Sequence, residues 1–372
     1  MNWVLIKRLF LYSPYLMLAL SMLAYVWRCR LSRRAAVLWF VWLFACSSWP
    51  VCSLWVYGEV FQPRFPEVVI WLWGWAYIGS LLFGGLSLVT LPCRWRCKRW
   101  MLPILAWGIS AVGVWNGVKV PSVHELTLAY PDLPDELDGY RIVQVSDIHA
   151  SAGARRWRTE AIVKTVNALD ADLVCLTGDY VDGKVDLRRT DIEPIRGLKA
   201  KDGVYCVTGN HEYYFSWKDW HDAYVKMGLR FLANECVFPR KSLALGGVND
   251  VQVRRQRPKA LPGAFPDVRA TFAAATNGEF RILLQHQPKT ARENIGECGV
   301  RLQLSGHSHG GIMPVMHWIV RRGNNGFERG LYEFGSGKLY VSCGAGQCAA
   351  FPIRYLAPSE ISLITLKKGK ER

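Results

Sequence analysis

Four long segments without a charged residue occupy the first third of the chain, and they constrain its fold more than any other feature. They run from Leu9 to Val26, Ala35 to Tyr57, Val68 to Leu91 and Trp100 to Val118. A helix needs roughly 20 apolar residues to cross about 30 Å of hydrocarbon. Each segment is longer than a buried strand and too apolar all round for an amphipathic surface helix. The sequence therefore predicts an all-α membrane module of about four transmembrane helices in residues 1–120.

The basic residues between these segments predict how the module is oriented. Eight Lys and Arg residues follow the first and third predicted helices, namely Arg28, Arg30, Arg33, Arg34, Arg94, Arg96, Lys98 and Arg99. With four spans these two loops lie on one side, which the positive-inside rule makes cytoplasmic. The residues after Val118 are then extracytoplasmic, in a multi-pass protein of the cytoplasmic membrane. A different number of spans, larger or smaller by one, reverses this orientation.

The distribution of charge argues against a nucleic-acid partner. Residues 1–120 carry 12 Lys and Arg against 2 Glu, whereas the remainder carries 34 Lys and Arg against 28 Asp and Glu. The excess of the second part is spread along the chain and lacks the basic stripe with interleaved aromatic residues that nucleic-acid strands require. The predicted spans contain no ionisable residue, which favours an anchor over a transport pathway.

Residues 121–372 have the pattern of a second, α/β domain. Short apolar runs alternate with helical periodicity, and five runs end in a turn that carries possible metal ligands. These residues are Asp147 and His149, then Asp179, Asn210, His286, and finally His307 with His309. Because ligand sites lie at the carboxyl ends of strands in layered α/β folds, these side chains are expected to converge at one sheet edge.

The types of residue indicate the kind of metal. Mixed imidazole and carboxylate ligands suit Mn, Fe or Zn, whereas Ca and Mg prefer oxygen ligands throughout. His307 and His309 can reach one site because alternate residues of an extended segment point the same way.

From Tyr140 to Leu366 the sequence resembles the calcineurin-like metallophosphoesterase family, on the motifs DIH, GDYVD, GNHE, a later isolated His and GHSHGG. With its amino-terminal helices it is similar to the membrane-anchored branch named for a transmembrane protein with a metallophosphoesterase domain. The resemblance implies a four-layer α/β/β/α sandwich that binds two divalent metal ions. It implies that Asp147, His149 and His309 hold the first metal, that Asn210, His286 and His307 hold the second, and that Asp179 bridges both.

The resemblance also implies a reaction. A hydroxide bridging the two metals would attack phosphorus, and His211 would protonate the leaving oxygen or stabilise the transition state. His211 could instead be a hydrogen-bonding residue outside the ligand set. Asp182, which completes the GDYVD motif, is expected to orient a ligand or a loop.

These features predict a membrane-anchored dimetal phosphoesterase that hydrolyses phosphodiester or pyrophosphate bonds, and a lipid-linked substrate near the bilayer is expected. One alternative is a pyrophosphatase of the UDP-2,3-diacylglucosamine type from lipid A biosynthesis, whose cytoplasmic substrate disagrees with an outward-facing domain. Another is a catalytically inactive scaffold of the same fold. The physiological substrate, the identity of the metals, the preference for monoesters or diesters and the oligomeric state stay open.

A few positions depart from the family pattern or leave two interpretations open. Gln287 stands where Asn is expected, and Ile312 stands where Gln is usual. The stretch from Met313 to Arg329 is expected to form either a surface loop or a flap that dips into the membrane interface. Cys343 and Cys348 could form a disulfide in an oxidising compartment.

Overall fold

The computed structural model of the chain describes residues 19–20, 23, 25, 31–48, 65–90, 100–255, 265–276, 278–312, 316–347 and 352–369. It divides into two compact units. The first comprises Met1–Val118 together with Phe351–Ile353, and the second comprises Lys119–Ala350 together with Arg354–Arg372.

The first unit is helical in its described part. Its helices are α1 Arg33–Ser47, α2 Glu67–Val89 and α3 Met101–Val118. Among the described residues, α2 and α3 are the two helices long and apolar enough to cross a membrane. The predicted first span lies almost entirely outside the described residues, as does the second predicted span beyond residue 48. The prediction of four spans therefore stays a prediction.

Helices α2 and α3 are joined by polar contacts within an apolar interface. The indole nitrogen of Trp75 donates to the carbonyl oxygen of Trp107 at 2.9 Å, and the Ser110 hydroxyl donates to the Trp75 carbonyl at 2.7 Å. A side chain at Gly79 would collide with the Trp107 ring, so the glycine lets this ring lie directly against the backbone of α2. Small residues and hydrogen bonds of this kind hold helices together where the hydrophobic effect between them is weak.

The second unit contains two six-stranded sheets, and their described strands follow the apolar runs of the sequence. The strands are β1 Ser122–Tyr130, β2 Arg141–Val145, β3 Leu173–Leu176, β4 Val204–Cys206, β5 Arg230–Phe231, β6 Glu235–Arg240, β7 Leu243–Gly247, β8 Phe280–Leu284, β9 Leu302–Ser305, β10 Gly330–Phe334, β11 Gly337–Val341 and β12 Glu360–Lys368. The first sheet has the order β1-β12-β2-β3-β4-β5, and the second has the order β10-β11-β9-β8-β7-β6.

Parallel pairing dominates the centre of both sheets. Strands β2 to β5 are parallel, and so are β7, β8, β9 and β11. The carboxyl-terminal strand β12 lies between β1, which it pairs in parallel, and β2, which it pairs antiparallel. Because parallel strands end at the same edge, each sheet presents a row of strand ends on which a site can be built.

The described part of the second unit also contains seven α-helices. They are α4 Arg156–Asn167, α5 Val185–Ile192, α6 Asn210–Tyr214, α7 Trp217–Lys226, α8 Val268–Thr271, α9 Ala291–Cys298 and α10 Met316–Gly323. An apolar core between the sheets includes Ile142, Leu173, Leu245, Ile282 and Leu304. Two further cores pack helices on the outer faces, one around Val166 and Trp220 and one around Phe272 and Ile295. The predicted α/β fold is confirmed.

The structure bears on two open expectations outside the core. The stretch expected as a loop or flap contains the helix α10, whereas residues 313–315 lie outside the described residues. Cys343 is a buried free thiol, so the suggested disulfide with Cys348, itself outside the described residues, is not seen.

Candidate metal centre

The strand ends bring all seven predicted ligands to one edge of the second unit. Asp147 and His149 follow β2, Asp179 follows β3, Asn210 begins α6 after β4, His286 follows β8, and His307 and His309 follow β9. Six of these side chains are buried and His307 is half-buried. The side chains come from turns that are distant in sequence, and the two sheets together hold them in place.

Asp147, His149 and His309 form a first ligand group, whose ligand atoms all lie within 4.8 Å of one another. The Nε2 atoms of His149 and His309 are 3.1 Å apart, and Asp147 Oδ1 lies 3.5 Å from His309 Nε2 and 3.9 Å from His149 Nε2. Two ligand atoms that are each about 2.1 Å from a cation lie about 3.0 to 3.4 Å apart in octahedral or tetrahedral geometry. The group therefore fits a transition-metal ion.

Asp179, His286 and His307 form a second ligand group within the same limit, to which Asn210 adds an amide oxygen. His286 Nε2 lies 3.2 Å from Asp179 Oδ2 and 3.2 Å from Asn210 Oδ1. The same Asp179 oxygen lies 3.7 Å from Nε2 of His149 in the first group. Asp179 is thus the carboxylate within reach of both groups, as a bridging ligand must be.

Hydrogen bonds to the outer nitrogens orient two of the imidazoles. His149 Nδ1 lies 3.0 Å from Oδ1 of Asp182, and His286 Nδ1 lies 2.7 Å from the carbonyl oxygen of Thr177. Because both partners are acceptors, the proton of each neutral ring belongs on Nδ1, and the Nε2 lone pair faces the ligand group. This tautomer is the one that binds a cation through Nε2.

Arg354 contacts the outer nitrogen of His309 as a hydrogen-bond donor, whereas the partners of His149 and His286 are acceptors. No motif of the sequence indicated this arginine. Its Nε and Nη2 donate to the carbonyl of Gly346, and its Nη1 donates to the carbonyls of Cys343 and Ala357. The remaining Nη2 hydrogen faces His309 Nδ1 at 3.1 Å. Since a guanidinium can only donate, Nδ1 of His309 accepts, and a neutral His309 ring carries its proton on Nε2.

The backbone of the site is strained at most of its ligands. Positive φ angles between 45° and 70° occur at Asp147, His149, Asp179, His307 and His309. Such conformations cost free energy at residues with a side chain, and they persist where the surrounding structure fixes them, often at functional sites. The backbone N–H of His307 is held by the Asp147 carboxylate at 3.1 Å, and a side chain at Gly306 would fall onto that same carboxylate.

His211, the predicted catalytic residue, lies beside both ligand groups. Its Nδ1 is 2.5 Å from Asp182 Oδ1, its Nε2 is 3.9 Å from Asp179 Oδ2, and its side chain is 17% exposed. Geometry alone also groups it with His149 and Asp179 as a possible ligand. Burial lowers the pKa of His211, but the charges of Asp179 and Asp182 outweigh this effect and raise it to about 9. A protonated imidazole can donate a hydrogen bond or a proton and cannot bind a cation.

Asp182 links the ligand set to His211, because its Oδ1 accepts hydrogen bonds from Nδ1 of both His149 and His211. It is fully buried. Burial would raise the pKa of this carboxyl, yet the two imidazoles hold it well below the usual value. Asp182 therefore stays ionised and can fix the orientation of both rings, as expected from its place in the GDYVD motif.

The pKa values of the two ligand carboxylates, Asp147 and Asp179, are shifted in opposite directions. Burial raises the pKa of Asp147 more than His286 lowers it. For Asp179 the charges of His286 and His211 overcome the effect of burial and hold the pKa well below its usual value. The Asp179 carboxylate thus keeps the negative charge that a position between two cations requires.

Two further buried carboxylates shape the turns that carry the ligands. Glu212 accepts hydrogen bonds from the backbone N–H groups of Asp179, Tyr180 and Gly209 at 2.7 to 3.0 Å, and burial raises its pKa to about 7. Asp250 accepts two hydrogen bonds of 3.0 Å from the amide of Gln287. The unusual Gln287 therefore ties the turn after His286 to the end of β7.

Comparisons with known proteins agree with this site. A family model described as calcineurin-like phosphoesterase matches residues 140–311. The chain is 32% identical over 303 residues to a transmembrane protein with metallophosphoesterase domain from Danio rerio, covering 78% of this chain and 68% of that protein. It is 31% identical over 301 residues to an uncharacterized metallophosphoesterase from Helicobacter pylori strain J99, covering 78% of each chain.

A solved structure adds only a distant likeness. Sulfate thiohydrolase SoxB from Thermus thermophilus matches with a TM-score of 0.39 and 13% identity, covering 63% of this chain and 58% of that chain. The sequence similarity to the two relatives, over more than two thirds of each, is the stronger finding. The chain therefore belongs to the calcineurin-like metallophosphoesterase family, as its motifs indicated.

Proposed function

We propose that the protein is a membrane-anchored phosphoesterase that uses two divalent cations to hydrolyse phosphodiester or pyrophosphate bonds. The observation that carries the proposal is the position of Asp179, whose Oδ2 lies 3.2 Å from His286 Nε2 and 3.7 Å from His149 Nε2. One carboxylate oxygen in reach of two ligand groups supports a paired-ion site more strongly than either group alone.

The first ligand group would hold one cation and the second ligand group, with Asn210, would hold the other. Bound cations of this kind acidify water and neutralise charge on a phosphoryl group. The mixed imidazole and carboxylate ligands favour Mn, Fe or Zn.

His211 would supply the acid of the reaction. Its Nδ1 proton is held by Asp182, which leaves its Nε2 edge facing the ligand groups and accessible to a substrate. The charges of Asp179 and Asp182 raise the pKa of His211, and Asp182, which is not a predicted ligand, would continue to favour the protonated ring with cations bound. From this position it would donate that proton to the leaving oxygen, a role that general acids fill when they lie within hydrogen-bond reach.

Anchoring rests on the two candidate spans, α2 and α3, and on relatives named as transmembrane proteins. These findings suggest a membrane association. We further propose four spans, an extracytoplasmic catalytic domain and a lipid-linked phosphate substrate, because the basic residues lie between the predicted spans and because a tethered hydrolase meets substrates at the bilayer. Reporter fusions at Val120 and at the carboxyl terminus test the side of the membrane.

The test of the reaction uses the full chain purified in detergent micelles, with metal content measured by mass spectrometry. We expect two divalent ions per chain and hydrolysis of a bis(p-nitrophenyl) diester. His211→Ala should keep both ions and lower turnover by roughly 10², and the loss should be larger for an alkyl leaving group, which needs a proton more than p-nitrophenol does. His221→Ala, in an exposed His on α7, is the matched control.

The outcomes separate the alternatives. Two bound ions without turnover on any phosphoester would indicate an inactive scaffold of this fold. A His211→Ala variant that loses a metal ion would make His211 a ligand, and equal losses for aryl and alkyl leaving groups would remove its role as an acid.

A further inference from the structure

Helix α10 presents apolar side chains to solvent although it lies in the catalytic unit. Trp318 is 69% exposed, Ile319 is 60% exposed and Met316 is 36% exposed. None of the eight residues of the helix is buried. Single exposed apolar residues are normal on protein surfaces, but three within four residues concentrate apolar surface on one short helix, and such surface often marks an interaction site.

The last turn of the same helix carries two basic residues. Arg321 and Arg322 are both exposed, and no acidic side chain in the described part of the chain lies within ion-pair distance of either. In the turn that follows, the Asn325 amide donates to the backbone carbonyl of Lys289 at 3.0 Å, which ties this end of the helix to the turn after His286. Exposed Trp and Ile followed by Arg is the composition of helices that lie in the membrane interface.

The helix is fixed to the loop that carries His307 and His309. Ser308, between these two ligands, donates its hydroxyl to the backbone carbonyl of Glu328, and Glu328 Oε2 lies 3.5 Å from His317 Nδ1 on α10. At Gly311, whose φ is +79°, a side chain would collide with His317. Whatever binds α10 is therefore held beside the predicted metal ligands.

The size and charge of this exposed surface favour a bilayer over a protein partner. A stable protein interface buries about 800 Å² on each partner, well beyond what three apolar side chains of one short helix supply. An anionic lipid surface offers phosphates that complement the two Arg residues and an interfacial zone that Trp prefers. The chain also carries two helices of its own that are long and apolar enough to cross a bilayer.

We propose that α10 docks on the anionic headgroup region of the bilayer through Trp318, Ile319, Arg321 and Arg322. The docking follows from the surface of the helix alone. Its consequence, that a phosphoester in a lipid headgroup is presented beside His307 and His309, rests on the proposed function.

The test reconstitutes the full chain in nanodiscs of phosphatidylcholine, with or without phosphatidylglycerol, and measures amide hydrogen exchange in residues 316–323. We expect slower exchange when phosphatidylglycerol is present. Trp318→Ser with Ile319→Ser should abolish the difference, and Arg321→Gln with Arg322→Gln should weaken docking by roughly thirtyfold, since each basic residue near an anionic surface contributes similarly. Val225→Ser, in an apolar residue of α7 that is 57% exposed, should change nothing.

Equal exchange in the two lipids, or variants that exchange as the parent does, would overturn the docking. All of these variants should hydrolyse the water-soluble diester at the parent rate, while hydrolysis of a phosphodiester carried by a nanodisc lipid falls in the α10 variants alone. If the parent cleaves no diester, the proposed function fails, whereas the exchange data still decide the docking.

Discussion

The imidazoles of the two ligand groups are supported in different ways. In the first ligand group, side chains face the outer nitrogens, with Asp182 at His149 and Arg354 at His309. In the second ligand group, His286 is supported by the main-chain carbonyl of Thr177. The first kind of partner can be changed by substitution, whereas the second cannot. The cation affinity of the first group should therefore be tunable, and that of the second should be set by the fold.

The largest expected effect comes from Asp182→Asn. The amide keeps an oxygen that can accept from both imidazoles, but it lacks the negative charge, so the hydrogen bonds that orient His149 and His211 become weaker. We expect turnover of a diester to fall by roughly 10². Titration calorimetry with Mn²⁺ should show about 10- to 100-fold weaker binding of one cation, the usual scale for loss of such a partner.

Asp191→Asn serves as the control for this substitution. Asp191 is also buried and pairs with Arg188, but it contacts no predicted ligand. Equal losses in the two variants would mean that Asp182 matters only for the stability of the domain. Loss of both cations in Asp182→Asn would mean that the two ligand groups are not supported independently.

Arg354→Gln should act in the opposite direction on the same group. Removing the guanidinium lets Nδ1 of His309 carry the proton, so that Nε2 keeps a lone pair for the cation, and it also removes a positive charge from the site. We expect roughly tenfold tighter binding of one Mn²⁺ ion by calorimetry. The melting temperature should fall, because the guanidinium also holds three backbone carbonyls.

The matched variant is Arg158→Gln. Arg158 is equally buried and donates to the carbonyl of Ala345, in the same segment, but it faces no predicted ligand. It should lower the melting temperature and leave cation affinity unchanged. Weaker cation binding in Arg354→Gln would show instead that the arginine holds His309 in place and that its charge is of secondary importance.

The contrast between the groups also explains what the sequence could predict. The ligand types were predictable because each follows an apolar run that forms a strand, as at β2, β3 and β9. Arg354 was not, because it lies 45 residues after His309 and reaches the site only through the segment before β12. The positive φ angles of the ligands likewise depend on contacts between turns that are distant in sequence.

The helices between the early strands could be predicted from the sequence, but the order of the strands could not. Periodicity indicated that helices alternate with the early strands, as α4 and α7 do, since their apolar positions pack on the first sheet. It could not indicate that β12 lies between β1 and β2, because pairing between strands more than 200 residues apart leaves no local pattern. The sequence left open whether residues 313–329 form a surface loop or a flap, and it did not indicate helix α10, because none of the residues of this helix is buried against a core that would give a clear helical pattern.

The smallest expected effect, and the sharpest check on the comparison, is that of Thr177→Ser. His286 Nδ1 binds the carbonyl of Thr177, while the Thr177 hydroxyl accepts from Gln144, and serine keeps both groups. Loss of one buried methyl should lower the free energy of unfolding by about 1 kcal/mol. Mn²⁺ affinity at both sites should stay within about twofold of the parent, because the partner of His286 is main chain. A tenfold loss of affinity would show that the second ligand group also depends on the side chains around it, and the distinction between the two groups would fail.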